Sequence, residues 1–256
     1  MNRFAIKACA DILGESLIKN LPADVQLSYY FKNNRNLGSS DRSDIAEIYY
    51  GVIRNKRLLE EIVGDAHCKK MILVYLLVLK GHSIKELSGV TDEYEIEWLV
   101  EKKKNKVHID SWPTKLSLPD WIWAKLVLYY GEEEAIAFGT SLLSPATLQL
   151  RVNSLKTMSV QEVVNEFRLS FPDEVDKIKK TELSKQGITL PRGTAIQKHP
   201  LFLEGAIEVQ EEGSQLLTLL LDVKRGHMVA DFCAGAGGKT LALSALMKNT
   251  GRIYAF

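Results

Sequence analysis

The most informative stretch of this chain reads Asp231-Phe-Cys-Ala-Gly-Ala-Gly-Gly-Lys-Thr240. The apolar residues of Met228–Cys233 predict a buried strand on its amino-terminal side, and the pattern of Lys239–Met247 predicts a helix after it. A glycine-rich turn between a strand and a helix lets the backbone approach a ligand closely. The free N–H groups and partial positive charge of the helix N-terminus favour an anion. The sequence therefore predicts a site for a carboxylate or a phosphate at this loop.

Three ligand-binding patterns partly fit the loop. The dinucleotide pattern GxGxxG, begun at Gly235, needs a glycine where the chain has Thr240. The Walker pattern GxxxxGK[ST] matches the final Gly-Gly-Lys-Thr, but its first glycine falls on Cys233. The methyltransferase pattern, an acidic residue followed by xGxGxG, matches Asp231, Gly235 and Gly237, again with Cys233 in place of the first glycine. Taken alone, the loop leaves both a nucleotide and S-adenosylmethionine open as ligands.

The residues on either side of the loop predict further short strands and helices. Alternating apolar residues indicate strands, and the spacing of Ser159 and Glu162 is that of a helix capping box. The predicted strands are Leu148–Val152, Ile188–Leu190, Ala206–Val209 and Arg252–Phe256, and a helix capped by Ser214 runs through Leu221. Residues 146–210 therefore predict a small α+β module.

The part of the chain before about residue 145 predicts helices only. Its strongest helical pattern begins at an N-cap formed by Ser40-Asp41 and ends at Gly64. The apolar run Met71–Leu79 is too short to cross a membrane, which takes roughly 20 residues, and it predicts a buried helix. Further helices are expected at Tyr94–Val100, at Pro119–Tyr130 with the proline in the first helical position, and at Glu132–Leu143.

Composition limits the class of protein. The chain has 256 residues, 46% of them hydrophobic and 25% charged, with a formal net charge of +1, so any contact with nucleic acid depends on a local patch. Cys9, Cys68 and Cys233 have no metal-ligand spacing, which argues against a zinc site and suits a reducing compartment. Charged residues interrupt the apolar residues at the N-terminus, so no signal peptide is predicted. We expect a cytoplasmic, monomeric protein without a metal and without a membrane span.

Three motifs, which occur along the chain in the family's order, resemble the Sun/RsmB-type family of RNA cytosine-5 methyltransferases. Val209-Gln-Glu-Glu-Gly-Ser-Gln215 is similar to the family's VQDxxSQ, and the loop from Asp231 is similar to DxCAAPGGKT. Leu150-Arg-Val-Asn-Ser-Leu-Lys156 is similar to LRVNxLK. In addition, the segment Ser39–Arg54 is similar to part of the NusB-like helical domain of bacterial members. The resemblance covers nearly the whole chain.

The resemblance implies a multidomain fold. An all-α NusB-like RNA-binding domain would occupy 1–145, the small α+β module 146–210, and the start of an α/β Rossmann-like methyltransferase domain 211–256. It also implies that S-adenosylmethionine binds the loop and that RNA, in bacteria usually ribosomal RNA, is the partner. The implied cofactor-binding residues are Cys233, Ala234, Gly235, Ala236, Gly237, Gly238 and Lys239. Gly235-Ala236 replaces the family's Ala-Pro and should loosen the loop, whereas Glu211 is a mild replacement for an aspartate.

The catalytic cysteines of the family have no counterpart in this sequence. In the family, one cysteine thiolate adds to carbon 6 of cytosine, which activates carbon 5 for methyl transfer, and a second cysteine assists release. Both belong to PC and TC motifs, and the chain contains neither dipeptide. Cys233 lies in the cofactor loop, and Cys9 and Cys68 fall on apolar helical faces, where we expect buried structural thiols. We therefore expect the full sequence to continue past Phe256 and this chain to be inactive alone.

A local excess of basic residues predicts an RNA contact in the helical part. Arg54, Lys56 and Arg57 lie within the strongest helical pattern, before its end at Gly64, and are the predicted phosphate ligands. Two other functions remain open from the residues alone. One is a non-catalytic RNA-binding protein that acts through its helices, and the other is a P-loop nucleotide hydrolase.

Overall fold

The computed structural model describes residues 3–19, 21–105, 107–156 and 158–256. The chain divides into two compact units, Met1–Ser144 and Pro145–Phe256. The described part of the first unit consists of helices, and strands begin only at Leu148, as the sequence predicts. The helices are α1 (Arg3–Lys19), α2 (Ala23–Asn33), α3 (Ser39–Arg54), α4 (Lys56–Val63), α5 (Cys68–Val74), α6 (Ile84–Leu87), α7 (Glu93–Lys104), α8 (Trp112–Lys115), α9 (Asp120–Tyr130) and α10 (Glu132–Leu143), with a π-helical turn at Tyr75–Leu79.

The core of the first unit lies where α1, α3 and α5 pack together. Cys9 on α1 is fully buried there, and its thiol lies 3.3 Å from the carbonyl oxygen of Ile45 on α3. Burial raises the pKa of the Cys9 thiol to about 12, with only a small opposing effect from a backbone hydrogen bond at Tyr49. The thiol therefore stays neutral and packs as a small apolar group, as predicted. Cys68 is only half-buried, because it stands at the exposed start of α5 rather than within its apolar face.

The predicted helix that ends at Gly64 is two helices rather than one. Asn55 separates α3 from α4 with backbone angles of −108° and 18°, and its side-chain amide donates to the carbonyl of Gly51 at 2.8 Å. A side chain that competes for a helix carbonyl in this way is a known cause of a break. The predicted end is correct, since Gly64 adopts a left-handed conformation with φ of 89°.

Helix starts differ from the predictions by one or two residues. Gly38 is the N-cap of α3, in place of Ser40-Asp41, and Pro119 is the N-cap of α9 rather than its first residue. Pro119 has a ψ of 142°, which is an extended rather than a helical value. Proline fits either position, because it has no N–H to leave unpaired.

The second unit contains two sheets. The elements are β1 (Leu148–Val152), α11 (Val160–Ser170), β2 (Lys179–Lys180), β3 (Gly187–Leu190), α12 (Pro200–Leu203), β4 (Ile207–Val209), α13 (Glu212–Leu220), β5 (Met228–Asp231), α14 (Gly238–Leu246) and β6 (Arg252–Ala255), with a 3-10 segment at Pro172–Lys177. The first sheet is antiparallel in the order β2-β3-β1-β4, and the second pairs β5 with β6 in parallel.

The antiparallel sheet has one apolar and one polar face. Leu150 and Val152 of β1 belong to the same buried cluster as Val163 and Phe167 of α11. Ser159 and Glu162 form the predicted capping box at the start of that helix. Because side chains alternate along a strand, Arg151 lies on the opposite face of the sheet.

Two predicted elements around the loop need correction. The N-cap of α13 is Glu211 rather than Ser214, since its carboxylate accepts hydrogen bonds from the backbone N–H groups of Gly213 and Ser214. The strand β5 is not buried, and Met228 is 70% exposed. Only β6 pairs with β5 among the described residues, so little of either face of this small sheet is covered.

The α+β module and the loop region pack as one unit. Gln215 of α13 donates to the carbonyls of Gln210, at 2.8 Å, and of Leu150, at 3.3 Å. One carboxylate oxygen of Glu212 accepts the backbone N–H groups of Leu183 and Ser184 at 2.6 and 2.7 Å. The predicted boundary at 210/211 thus falls within one compact unit. The division into three domains, 1–145, 146–210 and 211–256, remains a prediction.

We predict that Glu212 makes the stability of this unit depend on pH. Burial alone raises the pKa of its carboxyl, but hydrogen bonds from Ser184 and Leu183 and from the Thr181 side chain hold it below its ordinary value of 4.5. A lowered pKa in the folded state stabilises the fold above about pH 5, and that stabilisation is lost as the pH falls through the lowered value. Glu212→Gln should therefore lower the melting temperature at pH 7 and differ less from wild type at pH 3.5.

Thermal unfolding followed by circular dichroism at pH 7, 5 and 3.5 measures this effect. The matched control is Glu182→Gln, which neutralises an exposed carboxylate in the same unit. Equal melting temperatures for wild type and Glu212→Gln at pH 7 would contradict the prediction.

Candidate cofactor-binding loop

The loop joins the carboxyl end of β5 to the start of α14. The parallel register of β5 and β6 places Asp231 beside Ala255. The backbone N–H of Ala234 donates to the carbonyl of Phe256 at 3.2 Å, so the loop is tied to the end of the neighbouring strand. The N–H of Gly237 then donates to the carbonyl of Ala234 at 2.8 Å and closes the turn.

Asp231 holds both ends of the loop. One carboxylate oxygen accepts the backbone N–H of Cys233 at 3.3 Å, and the other accepts the hydroxyl of Thr240 at 2.6 Å. Hydrogen bonds to a carboxylate are stronger than those between neutral groups. The last residue of the strand and the first turn of the helix are therefore fixed relative to each other.

The N-terminus of α14 presents free backbone donors. Gly237 is its N-cap and has no side chain to accept a hydrogen bond, and the first intrahelical bond runs from Leu241 N–H to the Gly237 carbonyl at 2.8 Å. The N–H groups of Gly238, Lys239 and Thr240 therefore have no intrahelical acceptor. With the helix dipole, they form a preorganised site for an anion.

Glycine is required at two positions of the turn. Gly235 and Gly237 have φ values of 53° and 84°, in the left-handed region that other residues disfavour by about 1–2 kcal/mol. A Cβ atom built at either position would meet no heavy atom within 4 Å. The space beside the turn is thus open, and a ligand can approach the backbone there.

The structure brings all seven predicted cofactor-binding residues into this one loop and helix start. Cys233 and Ala236 are exposed, and Lys239 is half-buried in the first turn of the helix. An open turn, free N–H donors and an adjacent lysine suit the amino-acid end of S-adenosylmethionine, whose carboxylate needs donors. The residues present therefore fit the implied cofactor.

Sequence reasoning missed the polar residues that support the loop. The methyltransferase pattern includes Asp231 but does not predict its hydrogen bond to Thr240, nine residues along the chain. A Cβ atom on Gly238 would lie 4.0 Å from the side-chain nitrogen of Gln210, a residue 28 positions earlier in the chain. The position of Gln210 as the second residue of the VQEEGSQ motif marks it as a candidate functional residue. No sequence pattern shows, however, that it lies beside the loop.

The three predicted RNA-binding residues lie where α3 ends and α4 begins, on the first unit. Arg57 is engaged within the fold, since its guanidinium donates to the Leu118 carbonyl at 2.6 Å and pairs with Asp120 at 2.8 Å. Lys56 forms an ion pair with Glu60 on the surface of α4 at 3.1 Å. Exposed pairs of this kind contribute little to stability, so Lys56 can exchange its partner for a phosphate.

The described residues contain neither a metal-binding cluster nor a membrane-spanning helix. No group of three or more His, Cys, Asp or Glu side chains there is arranged to hold a metal ion. None of the helices in those residues combines the length and the apolar character that crossing a membrane requires.

Known proteins resemble the chain over most of its length. The probable ribosomal RNA small subunit methyltransferase B of Bacillus subtilis strain 168 is 26% identical over 95% of this chain and 61% of its own. The protein of the same name from Synechocystis is 26% identical over 86% of this chain and 56% of its own. A human 28S rRNA (cytosine(4447)-C(5))-methyltransferase is 31% identical over 54% of this chain and 17% of its own. This chain thus spans little more than half the length of its bacterial relatives. No protein-family model matches it.

A solved structure has a similar fold. The crystal structure of PH0851 superposes with a TM-score of 0.68 and 25% identity, covering all of this chain and 63% of that one. The helix-rich fold with small sheets is therefore shared with a known structure, and the resemblance inferred from the motifs is confirmed. The chain is thus similar to bacterial proteins named ribosomal RNA small subunit methyltransferase B over most of its length, and to eukaryotic ribosomal RNA (cytosine-C(5))-methyltransferases over part of it.

Proposed function

We propose that this protein acts as an RNA cytosine-5 methyltransferase on ribosomal RNA, with S-adenosylmethionine as the methyl donor. The observation that carries the proposal is the open, uncapped helix start after β5, anchored by Asp231, in a chain whose bacterial relatives are named ribosomal RNA methyltransferases. Such a helix start binds a carboxylate without rearrangement. The methyl donor supplies an activated methyl group, and the chain's own residues bind and orient it.

The proposed cofactor site is the backbone from Cys233 to Lys239. The N–H groups at the start of α14 receive the carboxylate, and the Lys239 ammonium adds a positive charge beside it. The left-handed Gly235 and Gly237 keep side chains away from the ligand. The hydrogen bonds of Asp231 hold the turn in this shape before the ligand arrives.

The proposed RNA-binding part is the helical unit, with the NusB-like arrangement that its resemblance implies. Arg54, Lys56 and Arg57 are the proposed phosphate contacts. A protein with these partners would work in the cytoplasm, and we propose that it does so as a monomer. The boundaries proposed for the helical domain, the α+β module and the methyltransferase domain are 1–145, 146–210 and 211–256.

We predict that Lys239→Ala weakens binding of S-adenosylmethionine about tenfold without unfolding the protein. The loss of one charge-assisted contact is of this size, and a lysine at the rim of a loop contributes little packing. Chemical shifts of the loop amides, titrated with S-adenosylmethionine to millimolar concentration, measure the affinity. Lys198→Ala removes an exposed lysine from the same unit and is the matched control. A parallel titration with ATP tests the nucleotide alternative, and tighter binding of ATP would reject the proposed cofactor.

We predict that replacing the basic residues between α3 and α4 weakens RNA binding and flattens its salt dependence. Each phosphate contact contributes roughly 0.7–0.9 to the slope of log K against log salt, so Arg54→Ala with Lys56→Ala should reduce it by about one to two. Arg57→Ala should add to this loss but also lower the melting temperature, because Arg57 binds Leu118 and Asp120 within the fold.

Binding of small-subunit ribosomal RNA at several salt concentrations measures the slopes. The control is Lys7→Ala with Lys85→Ala, which removes two exposed charges elsewhere on the same unit. An unchanged slope in the Arg54 and Lys56 variant would remove this patch from the proposal.

We predict that the 256-residue chain by itself transfers no methyl group. Its sequence contains neither the PC nor the TC motif that holds the family's catalytic cysteines, and Cys233 lies in the cofactor loop. Incubation with labelled S-adenosylmethionine and unmodified ribosomal RNA tests this directly. Transfer of label to cytosine would show that a cysteine of this chain is catalytic, and Cys233→Ser would then identify or exclude Cys233.

A further inference from the structure

A buried polar network lies on the second face of the antiparallel sheet. Arg151 of β1 is only 1% exposed, which is rare for an arginine. Its Nε donates to Oε1 of Gln210 at 2.6 Å, and its Nη2 forms an ion pair with the carboxylate of Glu208 on β4. The positive charge of Arg151 is thus compensated, and its hydrogen bond fixes the side-chain oxygen of Gln210.

Two donors of this network have no partner among the described residues. They are Nη1 of Arg151 and Nε2 of Gln210, and both are buried. The orientation of the Gln210 amide is set by its oxygen, which accepts from Arg151, so the nitrogen must point away. A buried donor without an acceptor destabilises the folded state, because it has lost its hydrogen bonds to water. Such a cost is explained when a ligand supplies the missing acceptor.

The unpaired side-chain nitrogen of Gln210 lies close to the start of α14. A Cβ atom on Gly238, the first residue of that helix, would lie 4.0 Å from Gln210 Nε2, which is the nearest atom apart from Gly238, its chain neighbours and the adjoining helix backbone. The backbone of Gln210 is fixed on both sides, since its N–H donates to the Gln149 carbonyl at 3.1 Å and its carbonyl accepts from Gln215 at 2.8 Å. A rigid side-chain donor from the α+β module therefore stands beside the uncapped N–H groups of the helix.

We infer that Gln210 is a ligand-binding residue whose Nε2 completes the anion site at the start of α14. This inference rests on the proposed function, and the anion is then the carboxylate of the cofactor's amino-acid end. Arg151 is a positioning residue, because it holds the Gln210 oxygen and so keeps the nitrogen turned toward the site. The α+β module thereby contributes to a site that sequence alone assigned to the loop.

The decisive variant is Gln210→Glu. It keeps the shape of the side chain and gives Arg151 a charged acceptor, but it replaces the free donor with an acceptor that repels an anion. We expect the melting temperature of the unliganded chain to be unchanged or higher and the affinity for S-adenosylmethionine to fall at least tenfold. Gln161→Glu makes the same change in charge on the exposed surface of α11 and should leave the affinity unchanged.

The role of Arg151 is tested by a double-mutant cycle. Arg151→Met and Gln210→Leu are measured singly and together, so that the double variant leaves neither partner of the pair unsatisfied. If Arg151 acts through Gln210, the double variant binds S-adenosylmethionine as weakly as Gln210→Leu alone. Losses of affinity that simply multiply would show that Arg151 does not act by positioning Gln210.

Titrations with three ligands distinguish a failure of this inference from a failure of the proposed function. The wild-type chain and Gln210→Glu are titrated with S-adenosylmethionine, methionine and inorganic phosphate, with the amides of Gly238 and Lys239 as reporters. If wild type binds S-adenosylmethionine and methionine, and Gln210→Glu binds both more weakly, the result supports both proposals. Binding of phosphate alone, weakened by Gln210→Glu, supports the anion site and rejects the cofactor. Equal binding by the two proteins overturns the role of Gln210 and leaves the proposed function standing. If no ligand shifts these amides in wild type, there is no anion site at the start of α14.

Discussion

The carboxylate of Asp231 is the constraint on which the candidate site depends. By accepting the Cys233 amide and the Thr240 hydroxyl, it fixes the angle at which the chain turns from β5 into α14. Two left-handed glycines make that turn possible, and the absence of a capping side chain at Gly237 leaves the helix start free to bind. The site thus consists mainly of backbone. Its proposed specificity comes from two side chains, Lys239 of the helix and Gln210 of the neighbouring module.

The small antiparallel sheet supports the loop as well as its own core. One face packs against α11 through aliphatic side chains, and the other carries the network of Arg151, Glu208 and Gln210. A buried ion pair adds little net stability, because the cost of desolvation offsets the attraction. A role in holding a donor beside the loop explains why a fully buried arginine occupies this position. Helix α13 connects the two parts through Gln215 and Glu212.

The helical unit has a separate core and different chemistry. Its interior is mainly apolar, and the buried, neutral thiol of Cys9 packs there beside the Ile45 carbonyl. Its basic residues differ in their accessibility for binding. Arg57 links α4 to Leu118 and to Asp120 at the start of α9, whereas Lys56 forms an ion pair with Glu60 on its own helix. This cluster of basic residues therefore includes one that stabilises the fold, Arg57, and one at the surface that can exchange its partner for a ligand, Lys56.

The sequence alone determined the helical character of the first part, the α+β pattern of the second, and the glycine-rich loop with its helix. These depend on local periodicity and on short motifs, both of which are visible along the chain. The break at Asn55 and the capping of α13 by Glu211 are local side-chain hydrogen bonds, but apolar periodicity does not show which polar side chain makes them. The exposure of β5, by contrast, was decided by tertiary structure, because it depends on which neighbours cover the strand. Lys239 could be predicted from the sequence and Gln210 could not, because only the second depends on tertiary packing. Lys239 follows the glycines directly, whereas Gln210 reaches the loop only because β1, β4 and α13 pack together, and an unpaired buried donor exists only in a folded chain.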